Sequence, residues 1–264
     1  VGVVNVHDTD DLNLVGLGGA ADGVLAIRVD GDLVIGGEQA LAIASTGGEL
    51  VLDAHEILLV GSVNAGQANV LFNAGGGIDL QGLVETAGAG TVTLLATGGD
   101  IRLDTVTADT GRITIDTVGR VIDQRADEAP NLVSEGHVTI NALGSIGGAE
   151  VEQAEEDIDV AVASIDAHAS EGAIGISASG DLTVGEAGVS ATDDHDVSLR
   201  AEGALNLLGD VSGRTLRVAA GSITQTGDLR AAQDLLAAAE GAYRLLGNSH
   251  TAAGNAHVAG GQLI

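Results

Sequence analysis

The chain has 264 residues, with 38 Asp and Glu against ten basic residues, all of them Arg, and a formal net charge of −28. It contains 41 Gly and one Pro, no Cys, Met, Trp or Lys, one Phe (Phe72) and one Tyr (Tyr243). Disulfides and thiol chemistry are thereby excluded, nucleic acid and anionic membranes are disfavoured as partners, and any core must be built from Val, Ile, Leu and Ala. An acidic, Lys-free surface suits a salt-adapted protein, and it equally suits a base composition that replaces Lys with Arg. The apolar fraction of 45% and mean hydropathy of +0.30 set the chain apart from disordered acidic segments.

The start, "VGVVNVHDTDDLNL", carries no basic region or apolar run of the signal-peptide kind. No stretch of 18 apolar residues follows, so no transmembrane helix is expected. A short pattern then repeats. It reads apolar-x-apolar-x-small, a Gly-containing link, and apolar-x-apolar again. Clear copies are "LAIASTGGELVL" from Leu41, "VLFNAGGGIDL" from Val70, "VTLLATGGDIRL" from Val92, "ITIDTVGRVI" from Ile113 and "VTINALGSI" from Val138. They continue with "IGISASGDLTV" from Ile174, "VSLRAEGALNL" from Val197, "LRVAAGSI" from Leu216 and "LLAAAEGAYRL" from Leu235. Weaker copies begin at Val4, Leu25, Ile158 and Ala256. These thirteen anchors span residues 4 to 256 and give a mean period of 21 residues.

A period of this size signals a solenoid, and the period of two inside each copy signals strands. About 21 residues cannot close a domain alone, but they make one turn of a parallel β-helix. The expectation is an all-β, right-handed parallel β-helix of about 13 coils, forming a single repeat domain over residues 1–264. Inward positions include Val92, Leu94, Ile113, Ile115, Val138, Ile140, Ile174, Ile176, Val197 and Leu199. Gly and Asn at the corners supply positive φ. The long interval from 41 to 70 is read as holding an extra strand pair around "HEILLVGS" (55–62), and Pro130 as part of a loop bulging from a corner. The Ala-rich 229–246 stretch fits the strand register better than a helix.

At "AAGSITQTGDLRA" (219–231), "VTINALGSIGG" (138–148) and "ATGGDIRLDTVTADTGRITI" (96–115) the sequence resembles the degenerate repeats of filamentous-haemagglutinin-like exoproteins, bacterial adhesins secreted by two-partner systems. The resemblance implies a β-helical shaft within a much longer secreted or cell-surface polypeptide. It carries over no functional residue.

Chemistry-bearing clusters are few. "ATDDHDVSL" gathers Asp193, Asp194, His195 and Asp196, oxygen donors for at most a weakly held Ca²⁺, and otherwise a solvated acidic corner. "AEVEQAEEDIDV" (Glu150, Glu152, Glu155, Glu156, Asp157) and "HDTDDLN" (Asp8, Asp10, Asp11) read as exposed turns. "GGGIDLQG" (75–82) and "GGDIRLDT" (98–105) touch the calcium-binding nonapeptide pattern, but no nine-residue tandem repeat exists. The seven His show no metal-ligand spacing, and no G-x-S-x-G elbow is present. No catalytic residue and no cofactor is therefore assigned. The expected role is a non-catalytic shaft or adhesin segment, outside the cell and not inserted in a membrane. Its expected partners are the rest of a longer chain, a host or neighbouring cell surface, or another copy end to end. The alternatives are a glycan-acting β-helix enzyme and a self-assembling fibre subunit.

Overall fold

The structure, a computed structural model, describes residues 2–15, 18–20, 23–36, 41–44, 48–125, 127–148, 157–192, 194–251 and 254–263. Among them there is no helix. Every strand pairing with an assigned register is parallel, and the chain is a β-solenoid of about 11 turns with a period near 21 residues. Two compact units are present, Val1–Arg125 with Asn131–His137, and Ala126–Pro130 with Val138–Ile264.

In the first unit each coil contributes three strands. They run as β1 (Gly2–Asp8), β2 (Leu12–Leu14) and β3 (Gly18–Ala20), then β4 (Gly23–Val29), β5 (Leu33–Gly36) and β6 (Leu41–Ala44). Next come β7 (Glu49–Ala54), β8 (Ile57–Val60) and β9 (Val63–Asn64), then β10 (Asn69–Ala74), β11 (Ile78–Leu80) and β12 (Leu83–Thr86). The set ends with β13 (Val92–Ala96), β14 (Ile101–Leu103), β15 (Thr105–Ala108), β16 (Ile113–Thr117), β17 (Val121–Asp123) and the start of β18 (Leu132–Ala142). Strands of the same rank stack into three parallel faces. On the first face the inward rows are Val4–Leu25–Leu50–Val70–Val92–Ile113 and Val6–Ile27–Leu52–Phe72–Leu94–Ile115. Alternation of side chains across a strand makes this possible: every second residue faces in, and its copy one coil away continues the row.

The second unit holds β19 (Ile158–Ala169), β20 (Ile174–Ala178), β21 (Leu182–Ala191), β22 (Val197–Leu207) and β23 (Val211–Gly213). It continues with β24 (Leu216–Gln225), β25 (Leu229–Ala231), β26 (Leu235–Leu245), β27 (Ser249–Thr251) and β28 (Ala256–Leu263). Here single long strands bend around a corner, with register shifts at Ala201/Ala204, Ala220/Ile223 and Ala239/Ala242. Its inward rows include Ile174–Val197–Leu216–Leu235–Ala256.

All ten expected inward residues are buried, Val138 and Ile140 included, while Thr93, Thr114 and Ser198 are not. The 229–246 stretch is strand, and Pro130 lies in the loop between β17 and β18. Two details of the repeat are corrected. Leu41 does not open a coil, because β6 lies on the third face and pairs Leu41 with Val63. The true successor of Leu25 is Leu50, so "HEILLVGS" is the ordinary second strand of a coil rather than an insertion. The solenoid has about 11 turns, slightly fewer than the 13 expected. Ile158 faces Ile176 rather than the anchor Ile174, a shift of two residues that keeps both inward.

The glycines also do something other than expected. Among the described residues only Gly66, Gly88, Gly147 and Gly188 have positive φ, and no non-glycine residue does. Most corner glycines are required by closeness. In the stack Gly90–Gly111–Gly136, a Cβ on Gly111 would lie 1.7 Å from the Gly90 carbonyl oxygen, and one on Gly136 would lie 2.0 Å from that of Gly111. A methyl at Gly180 would meet nothing within 4 Å. Gly111→Ala should therefore destabilise the protein by roughly 1–3 kcal/mol or more through backbone overpacking, while Gly180→Ala should be neutral or slightly stabilising. Denaturant unfolding of the two variants checks this, and equal stabilities would contradict it.

Candidate functional site

A repeated arrangement of acids occupies the corners. Where the backbone leaves one face for the next, the ladder is interrupted and an amide N–H of the following coil lacks a carbonyl opposite it. A carboxylate takes that place. Asp11 Oδ1 accepts from the Asp32 amide (2.9 Å), Glu56 Oε2 from Gly77 (2.9 Å) and Asp100 Oδ1 from Arg120 (2.8 Å). In the second unit Asp181 accepts from Ala204 (2.7 Å), Asp210 from Asp228 (2.9 Å), Asp228 from Asn248 (3.1 Å) and Asp234 from Asn255 (2.9 Å). Each bond spans one coil and is charge-assisted. Arg side chains lie over the same stacks: Arg230 bridges Asp210 and Asp228 at 2.8 Å each, and Arg120 pairs with Asp100 at 3.0 Å.

This placement has a signal in the sequence that composition alone hides. The acid directly precedes the first inward aliphatic residue of a strand, as in Asp11-Leu12, Asp32-Leu33, Glu56-Ile57, Asp100-Ile101, Asp181-Leu182, Asp228-Leu229 and Asp234-Leu235. Reading the acids as solvated turns overlooked that fixed position.

Within the acidic cluster at 193–196, Asp196 follows the same rule. Asp196 Oδ1 accepts from Arg214 Nε at 2.7 Å and from the Thr215 amide at 3.2 Å, so it is directed to the next coil. Asp194 is exposed in a turn, His195 is half-buried with its amide donated to the Thr192 carbonyl, and Asp193 lies outside the described residues. Glu150, Glu152, Glu155 and Glu156 also lie outside them, while Asp157 is buried. Among the described residues no three His, Asp or Glu converge as a metal-holding group. The glycines of "GGGIDLQG" and "GGDIRLDT" stack on one another, a Cβ on Gly98 falling 2.3 Å from the Gly75 carbonyl oxygen.

Burial raises the Asp100 and Asp196 carboxyls, but bonds and charge from Arg120 and Arg102, and from Arg214 and Thr215, outweigh it; both titrate below the ordinary carboxylate range. Asp228 is held down by the Asn248 amide and then by Arg230. Burial pushes the Tyr243 hydroxyl up to about 12.

Histidines serve the same stacking. His7 bonds Asp30 and His55 bonds Asp32, both at 3.1 Å and both across one coil. His168 Nδ1 and Ser190 Oγ lie 2.7 Å apart on neighbouring strands, and among the described residues no carboxylate bonds the other ring nitrogen. Phe72 and Tyr243 are fully buried, so neither offers a platform for a sugar ring. One surface concavity is lined by Ala219, Gly221, Ala238, Arg200, Glu202 and Glu240. No family model, no curated protein and no solved structure matches the chain.

Three outcomes follow from this geometry. Asp196→Ala should cost roughly 1–3 kcal/mol, the range for a lost hydrogen bond to a charged group, measured by denaturant unfolding. A carboxylate held below its ordinary value stabilises the fold above that value and ceases to do so as pH falls through the folded one. Stability should thus fall steeply below about pH 4, read by circular dichroism. Tyr243 runs the other way: a group raised from 10.0 to about 12 favours the fold below pH 10 and loses that contribution between the two values. Absorbance titration of this single tyrosine should place its midpoint near 12 while the fold persists.

Proposed function

We propose that the chain is a non-catalytic shaft segment of a large secreted or surface-anchored bacterial protein, holding an adhesive or effector part at a distance. The observation that carries this reading is how the chemistry-bearing residues are used. Corner acids bond the next coil, both aromatic side chains are buried, and most inward positions of the described coils are aliphatic. An active site grafted on a solenoid would be a coil that departs from this pattern by gathering nucleophilic, basic and aromatic groups.

A second reading, association with another coil, draws on β1. Val4 and Val6 belong to the inward rows yet are 52% and 41% exposed. This open row fits a coil of a second copy, and the native mass tests that association.

Modular deletion tests the shaft. Val197 pairs with Leu216, so removing residues 197–215 takes out one whole coil and leaves Ile174 to meet Leu216. The shortened protein should retain strand-dominated circular dichroism and cooperative unfolding, and a longer chain carrying the deletion should still display its terminal parts. Depolymerisation of a polysaccharide by the intact chain would overturn the proposal. The charge of −28 predicts a further property: melting temperature should rise between dilute buffer and molar NaCl, because salt screens carboxylate repulsion along the stack.

A further inference from the structure

Within the aliphatic rows of the second unit two neighbouring inward positions, Gln225 and Tyr243, break the rule. Gln225 is fully buried, stacked in register between Leu207 and Leu245. Its Oε1 accepts from the Tyr243 hydroxyl at 2.8 Å. Its Nε2 donates to the carbonyls of Gly227 (3.1 Å) and Asn248 (2.9 Å). Tyr243, also fully buried, faces Ile223 on β24. These contacts join β24 to β26 and to the turn after it.

Aliphatic rows alone leave a choice open. A slip of one residue turns every side chain over and is strongly opposed. A slip of two residues keeps the inward set inward, and Val, Leu and Ala contacts are nearly interchangeable. Between β24 and β26 the amide–hydroxyl pair removes the choice. Moving β26 by two residues displaces the Tyr243 hydroxyl by about 6–7 Å, beyond reach of Gln225, and strands a buried amide without its partner.

We propose that Gln225 and Tyr243 act as a register key, selecting one of two aliphatically equivalent pairings of β24 with β26. A buried polar pair in that role sets specificity and adds little to stability.

The chain has no cysteine, so register can be read by oxidative cross-linking. Thr224 and Arg244 are partners in register and point outward. Thr224→Cys with Arg244→Cys reports the native pairing. Thr224→Cys with Ala242→Cys, or with Leu246→Cys, reports a two-residue slip, since diagonal neighbours lie about 7–8 Å apart, outside disulfide reach. With Gln225 and Tyr243 intact, only the native pair should cross-link. In a Gln225→Leu/Tyr243→Phe background, native cross-linking should drop and a slipped pair should appear, with strand circular dichroism retained. Tyr243→Phe alone, which changes one atom, should give the same result more weakly. A doubly substituted protein that cross-links only in the native pair, as fully as the parent, overturns the proposal. Loss of strand signal in both variants also overturns it, because the pair would then sustain the fold rather than choose its register.

Discussion

Everything in this molecule depends on the parallel backbone ladder between successive coils, which fixes their separation at about 4.8 Å. At that distance each residue has its copy directly above and below. An apolar residue facing inward becomes part of a row, as in Val6–Ile27–Leu52–Phe72–Leu94–Ile115. A corner residue with a side chain meets the neighbouring carbonyl, which leaves glycine as the residue that fits between Gly90 and Gly136. A corner amide that has lost its carbonyl finds a carboxylate one coil away. The composition follows: small aliphatics inside, glycines where the chain crowds itself, and acids where the ladder is interrupted.

Much of this was legible in the sequence because a period of two within a period near 21 has few structural solutions. The inward register of Val92, Ile113, Val138, Ile174 and Val197 needed only alternation. What escaped was the assignment of face. "LAIA" at Leu41 and "LVLD" at Leu50 look alike, and only pairing with Val63 or with Leu25 and Val70 tells them apart. The acids escaped for another reason. Charge content says that they are exposed, and many are, but it does not say that one carboxylate oxygen is committed to an amide a coil away. The Asp-Leu and Glu-Ile pairs at strand starts carry that information. Asp196 belongs with them: it reaches Arg214 and Thr215 by the same rule that takes Asp181 to Ala204.

The functional reading rests on how little of the described surface departs from the repeat. A catalytic site on a solenoid would set one coil apart from its neighbours, and several side chains of the kinds it would need are used in stacking. His7 and His55 bond acids of adjoining coils, Phe72 fills a row, and Tyr243 is bonded to Gln225. A chain built this way gains length by adding coils at little cost in specificity, which suits the proposed role of holding another part at a distance. Its high negative charge serves solubility and, through the corner carboxylates, the stacking itself.

Amide hydrogen exchange at the corners tests that account most directly. The amides of Gly77, Arg120, Ala204, Asp228 and Asn255 face carboxylates in this structure. They should exchange at neutral pH as slowly as the strand amides beside them, and Asp181→Ala should free Ala204 alone. Exchange of these five at the rate of an unstructured chain, with the strands still protected, would contradict the claim that acids bind coil to coil.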